Sequence, residues 1–201
     1  MLSTDVYNIM IDRLLGGNLP QGTVLNRRQI AAELGVSVAP VLEAFKRLEH
    51  EGYIRTIPRK GTMVCSLTKQ DIQGHLILKE AIERAAAERY DGAVVRMHYD
   101  RLYQRAAAVD AAARERGVNS VETWRLDLDF HADLVALAGY EVLVNEFKRI
   151  AVPNLFYHVN RMLDNHGYCA HIPLLDALAS DNREYALEQL SQHLRSSRTT
   201  E

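Results

Sequence analysis

A double switch of hydrophobic period constrains this chain more than any other feature. Up to residue 52 the apolar residues recur at helical spacing in three short stretches. Residues 53–57 and 62–65 are then β-prone, and from Thr68 onward the only visible period is again helical. Residues 7–15 read as a first helix, with Ile9, Met10, Leu14 and Leu15 near helical spacing. Gly16-Gly17-Asn18 stops it and Pro20-Gln21-Gly22 turns the chain. A second helix is predicted over 27–34 and a third over 38–51, separated by Gly35-Val36-Ser37. Ser37 is a suitable N-cap, since its hydroxyl can accept from a free first-turn amide. Pro40 falls within that first turn, where its missing N–H costs nothing. Pro58-Arg59-Lys60-Gly61 reads as the turn of a small hairpin.

Thr68 opens the second part, with Asp71 as its capping-box partner three residues on. Helices are predicted at roughly 69–90, 92–116, 121–138, 140–163, 168–180 and 182–197. Their breaks are Gly92, Gly117-Val118-Asn119, Gly139, Asn165-His166-Gly167 and Ser180-Asp181-Asn182. Helices this close in sequence pack as a bundle. The expectation is a mainly α chain: a winged helix-turn-helix over 1–66, then an all-helical bundle over 67–201.

No apolar run reaches the ~18 residues of a membrane span, and residues 1–5 carry no secretory pattern. Cys65 and Cys169 form no CxxC pair. A cytoplasmic location with two incidental thiols is expected. Net charge is −2 overall, but residues 1–66 hold eight Lys/Arg against six Asp/Glu and the rest sixteen against twenty. A mildly basic head on an acidic body fits a head that meets DNA.

Within the head, Ala31, Gly35 and Val41 have the helix-turn-helix spacing. The first must be small where two helices cross, the second suits a left-handed turn, and the third packs the recognition helix onto the core. Such a helix lays its N-terminal residues into the major groove. A three-helix protein-interaction module is the competing reading of the pattern alone. The run GNLPQGTVLNRRQIAAELGVSVAPVLEAFKRLEHEGYIRTIPRKGTMV resembles the winged-helix domain of the GntR family of bacterial regulators. It departs from the frequent SRTPVREAL, because Val38 and Leu42 stand where relatives often carry arginines. An aliphatic side chain cannot read guanine edges as an arginine fork does. The resemblance implies a double-stranded DNA operator. Candidate contacts are Arg27, Arg28, Ser37, Lys46, Arg47, Arg59 and Lys60, with Val38 against thymine methyl groups.

Of eight histidines, His50, His75, His98 and His166 read as surface or satisfied core groups. Asp127 and His131, four apart, share one helix face. His171 opens a later helix and His193 follows 22 residues on. Three imidazoles and a carboxylate suit zinc, and also nickel, cobalt or manganese, but spacing alone does not bring them together. The segment LDLDFHADLVALAGYEVL and the tail AHIPLLDALASDNREYALEQLSQHL resemble the FCD effector domain of the FadR-like branch. That resemblance implies metal ligands Asp127, His131, His171 and His193, a small carboxylate effector such as a sugar acid, and a homodimer. Lys79 occupies the place of a family arginine. Lysine keeps the charge and loses the bidentate fork. Arg149, His158, Asn160 and Arg161 are further effector-binding candidates on a central helix.

Three functions follow from these features. The first is a metal-dependent, ligand-responsive DNA-binding regulator. The second is a metal-dependent enzyme acting on a small molecule, which open coordination positions would permit; no general base is evident near the ligands, and an enzyme leaves the head without a purpose. The third is a regulator whose metal is purely structural.

Overall fold

The computed structural model describes residues 2–66, 68–118, 120–161 and 170–196, with the side chains of all but Lys69, Ile72 and residues 152–161. The chain divides into two units, one of Met1–Ile72 with Val152–Arg161, the other of Gln73–Ala151 with Met162–Glu201.

In the first unit, α1 (Ser3–Leu15) turns Val6, Met10, Ile11, Leu14 and Leu15 inward. It packs on α3 (Val38–His50), which buries Val41, Ala44, Phe45 and Leu48. α1 starts four residues before the apolar period does. The Asp5 carboxylate reaches back to accept the Leu2 N–H at 2.8 Å and secures the first turn. α2 (Arg27–Leu34) is capped by Asn26, whose side chain accepts from the N–H groups of Arg28 and Gln29. Ser37 does stand at the N-cap of α3, but contrary to expectation its side chain makes no capping hydrogen bond.

The predicted hairpin is present as β2 (Ile54–Ile57) and β3 (Gly61–Val64), with Ile54 opposite Val64 and Thr56 opposite Thr62. A two-residue strand, β1 (Val24–Leu25), adds to the outer side of β3 in the antiparallel order β1-β3-β2. Two residues carry no readable period, so this strand was not foreseen.

The helical part holds α4 (Lys69–Ala87), α5 (Gly92–Met97), α6 (Tyr99–Arg116), α7 (Val121–Ala136), α8 (Glu141–Arg161), α9 (His171–Leu178) and α10 (Arg183–Ser196). Of these, α4 and α8 run across the division between the two units, and the rest lie within the second. Thr68 and Asp71 form the expected capping box, with Asp71 N–H to Thr68 Oγ1 at 3.1 Å and Thr68 N–H to Asp71 Oδ2 at 2.8 Å. The helix predicted over 92–116 is two helices, because His98 (φ −112°, ψ 12°) leaves helical geometry. One apolar cluster joins Leu102, Ala106 and Val109 of α6, Phe130 and Leu134 of α7, Leu174, Leu175 and Leu178 of α9, and Leu190 and Leu194 of α10. A second joins Ile82 and Ala86 of α4 to Ala132 and Val135 of α7 and Phe147 and Ile150 of α8. α7 is therefore packed on two faces, which fixes its rotation and with it the direction of every side chain it carries.

The turn between α9 and α10 is clamped by α5. A Cβ built on Gly92 would lie 2.2 Å from the Ser180 carbonyl oxygen and 2.8 Å from that of Ala179. Arg96 donates to the Ala179 carbonyl and, at 2.8 Å, to Asp181, while Arg183 donates to the Glu88 carbonyl. Gly92→Ala must push backbone against backbone, and overpacking of this kind costs about 1–3 kcal/mol. Gly74 on α4 has nothing within 4 Å of its Cβ position, so Gly74→Ala should gain roughly 0.5–1 kcal/mol from helix propensity. Denaturant unfolding of the two variants should move in opposite directions.

Candidate DNA-binding face and candidate metal centre

The helix-turn-helix spacing is realised as geometry. Ala31 and Val41 are buried, and Gly35 is left-handed at φ 65°. The Val36 N–H donates to the Ala31 carbonyl at 2.9 Å, closing the end of α2. The first turn of α3 is then presented outward: Ser37 and Ala39 are exposed and Val38 is 43% exposed. Arg28 is exposed at the start of α2.

Between β2 and β3 the Lys60 N–H donates to the Ile57 carbonyl at 3.0 Å. Arg59, third in that turn, has φ 67° and is the only non-glycine at positive φ among the described residues. A proline followed by a positive φ is the type II turn, whose third position favours glycine. An arginine there is held in a strained conformation at an exposed tip, beside exposed Lys60.

Other basic residues make side-chain contacts within the domain. Arg27 donates to Thr62 Oγ1 at 2.9 Å, with its guanidinium 5.8 Å from the centre of the Phe45 ring. Arg47 pairs with Glu51 at 2.9 Å and lies 3.6 Å over the Tyr7 ring, whose hydroxyl also donates to Glu51. Arg27, half-buried, thus links α2 to β3, and Arg47 links α3 to α1 while 53% of its side chain stays exposed. Lys46 is exposed and paired with Glu43 at 3.0 Å.

In the second unit, His131 of α7, His171 at the start of α9 and His193 of α10 converge. All three are buried, and one ligand atom from each lies within 4.8 Å of the others. Asp127, one turn before His131, is 24% exposed at its side chain and reaches His171 Nε2 at 2.9 Å and His131 Nε2 at 3.7 Å. Each inner imidazole has a carboxylate behind it. Glu83 of α4 meets His131 Nδ1 at 2.5 Å, and Asp110 of α6 meets His171 Nδ1 at 3.0 Å. Glu83 is in turn paired with Lys79 at 2.9 Å.

The electrostatics follow from this packing. Burial opposes charge on His171, but hydrogen bonds to Asp110 and Asp127 and their negative charge outweigh it and lift the ring to about 9. Burial likewise opposes charge on Asp127, yet His131 and His171 hold it well below the usual carboxylate range. Glu83, against its burial, is brought down to about 2 by His131 and Lys79. His193 is driven down to about 3 by burial and by the other two imidazoles, so it remains neutral. A site that favours positive charge at its middle and keeps a neutral imidazole at its edge fits a divalent cation. The donors, three nitrogens and one carboxylate oxygen, are those of borderline metals.

The effector candidates fare unequally. Lys79 lies under the centre, paired to Glu83 and 5.6 Å from the Phe147 ring centre. Arg149 is 56% exposed and paired with Glu146 at 2.7 Å. The side chains of His158, Asn160 and Arg161 lie outside the described residues. Glu83 and Asp110 were not foreseen as partners of the histidines. A lone acid amid the alanines around Asp110 was the available signal, since a buried carboxylate requires a partner.

The fold defines a winged-helix DNA-binding domain followed by a helical domain, and comparison with known proteins gives the lineage. The model of the gntR family of bacterial regulatory proteins matches residues 2–64. An uncharacterized HTH-type transcriptional regulator from the TAR-I ttuE-ttuC' intergenic region of Agrobacterium vitis is 37% identical over 136 residues, 66% of this chain and 78% of that one. A probable D-xylose utilization operon transcriptional repressor of Paenarthrobacter nicotinovorans is 25% identical over 202 residues, 96% of this chain and 85% of its own. The crystal structure of a GntR transcriptional regulator from Rhodococcus sp. RHA1 superposes with a TM-score of 0.71 at 25% identity, covering 96% of this chain and 93% of that one. E. coli McbR/YncC shares the fold, with a TM-score of 0.70 at 19% identity over 97% and 94% of the two chains. The chain belongs to the GntR family and is a DNA-binding transcription regulator. The relatives are named as regulators, not as enzymes.

The inward contacts of Arg27 give a test. Arg27→Ala loses a hydrogen bond and an aromatic contact and should cost about 1–2 kcal/mol in urea unfolding. Arg28→Ala, at an exposed position, should stay within about 0.5 kcal/mol of wild type.

Proposed function

We propose that the chain is a ligand-responsive regulator of the FadR-like branch, whose helical, FCD-type domain senses a small organic or sugar acid at a divalent metal. The observation that carries this reading is the convergence of three buried imidazoles with Asp127, each imidazole from a different helix of a bundle joined to a DNA-binding head. Asp127, His131, His171 and His193 would hold the ion, with zinc first and nickel, cobalt or manganese as alternatives. A bound divalent ion supplies Lewis acidity and an open coordination position suited to a carboxylate. Lys79 keeps a positive charge below the centre, and His158, Asn160 and Arg161 remain the effector-binding candidates on α8. A relative named for D-xylose utilization supports a sugar-derived effector.

At the DNA, Ser37 and Val38 meet base edges, while Arg28, Lys46, Arg47, Arg59 and Lys60 meet backbone or groove. Two chains form a homodimer on a roughly palindromic operator. The effector acts by population shift, changing operator affinity only as far as it binds the DNA-competent and DNA-incompetent states unequally.

Metal content by mass spectrometry should give about one ion per chain in wild type and none in His171→Ala. A small carboxylic acid should raise the melting temperature of the loaded wild type and leave His171→Ala unchanged. No metal after reloading with zinc, nickel or manganese would overturn the centre. Metal without any response to acids would make it structural.

The wing supplies a separate test. Arg59→Gly removes the charge and relieves the positive-φ strain of about 1 kcal/mol. Operator affinity should fall while thermal stability is held or raised. Unchanged affinity would remove the wing from the contact surface.

A further inference from the structure

Asp110 does two things at once with one buried carboxylate. It comes from the middle of α6, among the buried alanines Ala106, Ala112 and Ala113, and is itself 3% exposed. Its Oδ1 accepts the backbone N–H of His171 at 2.9 Å and lies 3.0 Å from Nδ1 of the same residue. Its Oδ2 faces the Ile172 N–H at 3.4 Å. α9 begins at His171, and the residue before it, Ala170, has no side chain able to cap. The cap of α9 therefore comes from another helix, 61 residues away in sequence.

A helix leaves its first four N–H groups without intrahelical partners, and a carboxylate among them is favoured by charge as well as by hydrogen bonding. The same oxygen that caps α9 fixes the ring of its first residue. With Nδ1 turned to Asp110, Nε2 is the only nitrogen of His171 that can face the centre, and it does so, 2.9 Å from Asp127. A carboxylate behind a metal-binding imidazole selects its tautomer, orients the ring and strengthens it as a donor.

Resting on the proposed metal centre, we infer that Asp110 is its positioning residue, setting the register of α9 and the ligand atom of His171 with one carboxylate. Docking of α9 against α6 and presentation of His171 Nε2 are then a single event. Glu83 does only half of this for His131. It holds Nδ1, but His131 sits inside α7, where the backbone N–H is already used by the helix. Asp110 is thus the more sensitive of the two carboxylates.

The test uses the full chain loaded with zinc. Long-range ¹⁵N–¹H spectra of the wild type should show His171 bound through Nε2 with its proton on Nδ1. Coordination through Nδ1 would overturn the inference without any variant. Zinc affinity is then measured by competition with a chromophoric chelator. Asp110→Ala should weaken it about 10- to 100-fold. Asp110→Asn keeps an oxygen for the His171 N–H and the ring, and should recover most of that loss. Ala binding zinc as tightly as wild type would overturn the inference, as would Asn weakening it as much as Ala does. Should Asp110→Ala fail to fold, the wild-type spectra and the Asn variant decide. A wild type that takes up no zinc sinks the metal reading itself, whereas zinc bound equally well with and without Asp110 sinks only the positioning role.

Discussion

Three imidazole rings cannot be packed into an apolar core unless their nitrogens find partners, and that requirement organises the second half of this molecule. A buried polar group without a partner costs on the order of a few kcal/mol. The centre answers by drawing one carboxylate from each of α4, α6 and α7 to the rings of His131 on α7 and His171 on α9, and by packing the neutral His193 of α10 against both rings. The bundle has two apolar clusters besides this polar seam, one joining α6, α7, α9 and α10, the other α4, α7 and α8. α7 belongs to both, and it carries Asp127, His131 and the Phe130 ring that meets His131 and His171 edge-on. Apolar packing therefore sets the helix positions, and the seam sets which rotations of those helices are acceptable.

The head is built on the opposite economy of means, with a small core and few buried polar groups. Its fold depends on a close helix crossing at Ala31, a left-handed Gly35 and the Val41 contact behind α3. Basic residues that look alike in sequence then separate by reach. Arg27 is half-buried against Phe45 and Thr62, whereas Arg47 lies over Tyr7 yet stays exposed, as Arg28, Arg59 and Lys60 do. Val38, Ala39 and Pro40 leave the presented first turn of α3 without a basic side chain, whereas the wing tip carries Arg59 and Lys60.

What could be read in the sequence was local. Ala31-Gly35-Val41 and Asp127-His131 each lie within about ten residues, and helical geometry converts such spacing into position. The hairpin was legible because Ile54–Ile57 and Gly61–Val64 are long enough to show their β-prone character between breakers. Meeting of the Asp127–His131 pair with His171 and His193 followed from family likeness alone, because no local rule relates α7 to α9. The partners Glu83 and Asp110 escaped notice for the same reason. They stand 48 and 61 residues from the histidines they hold. β1 was too short to show a period, and the Ser37 capping expectation failed because a hydroxyl at an N-cap position need not turn toward the helix.

The cap that α9 borrows from α6 also bears on how the chain comes together as it is made. Synthesis delivers Glu83, Asp110 and Asp127 before His171 and His193 exist, so α4, α6 and α7 emerge carrying more negative than positive charge on their shared inner face. Like charges resist being closed off from water until a counter-charge arrives. The α9–α10 hairpin places His171 between Asp110 and Asp127, and it also supplies Leu174, Leu175, Leu190 and Leu194 to the larger apolar cluster. Sequence order alone therefore leaves Glu83, Asp110 and Asp127 without His171, and the larger apolar cluster without these four leucines, until α9 and α10 have been made.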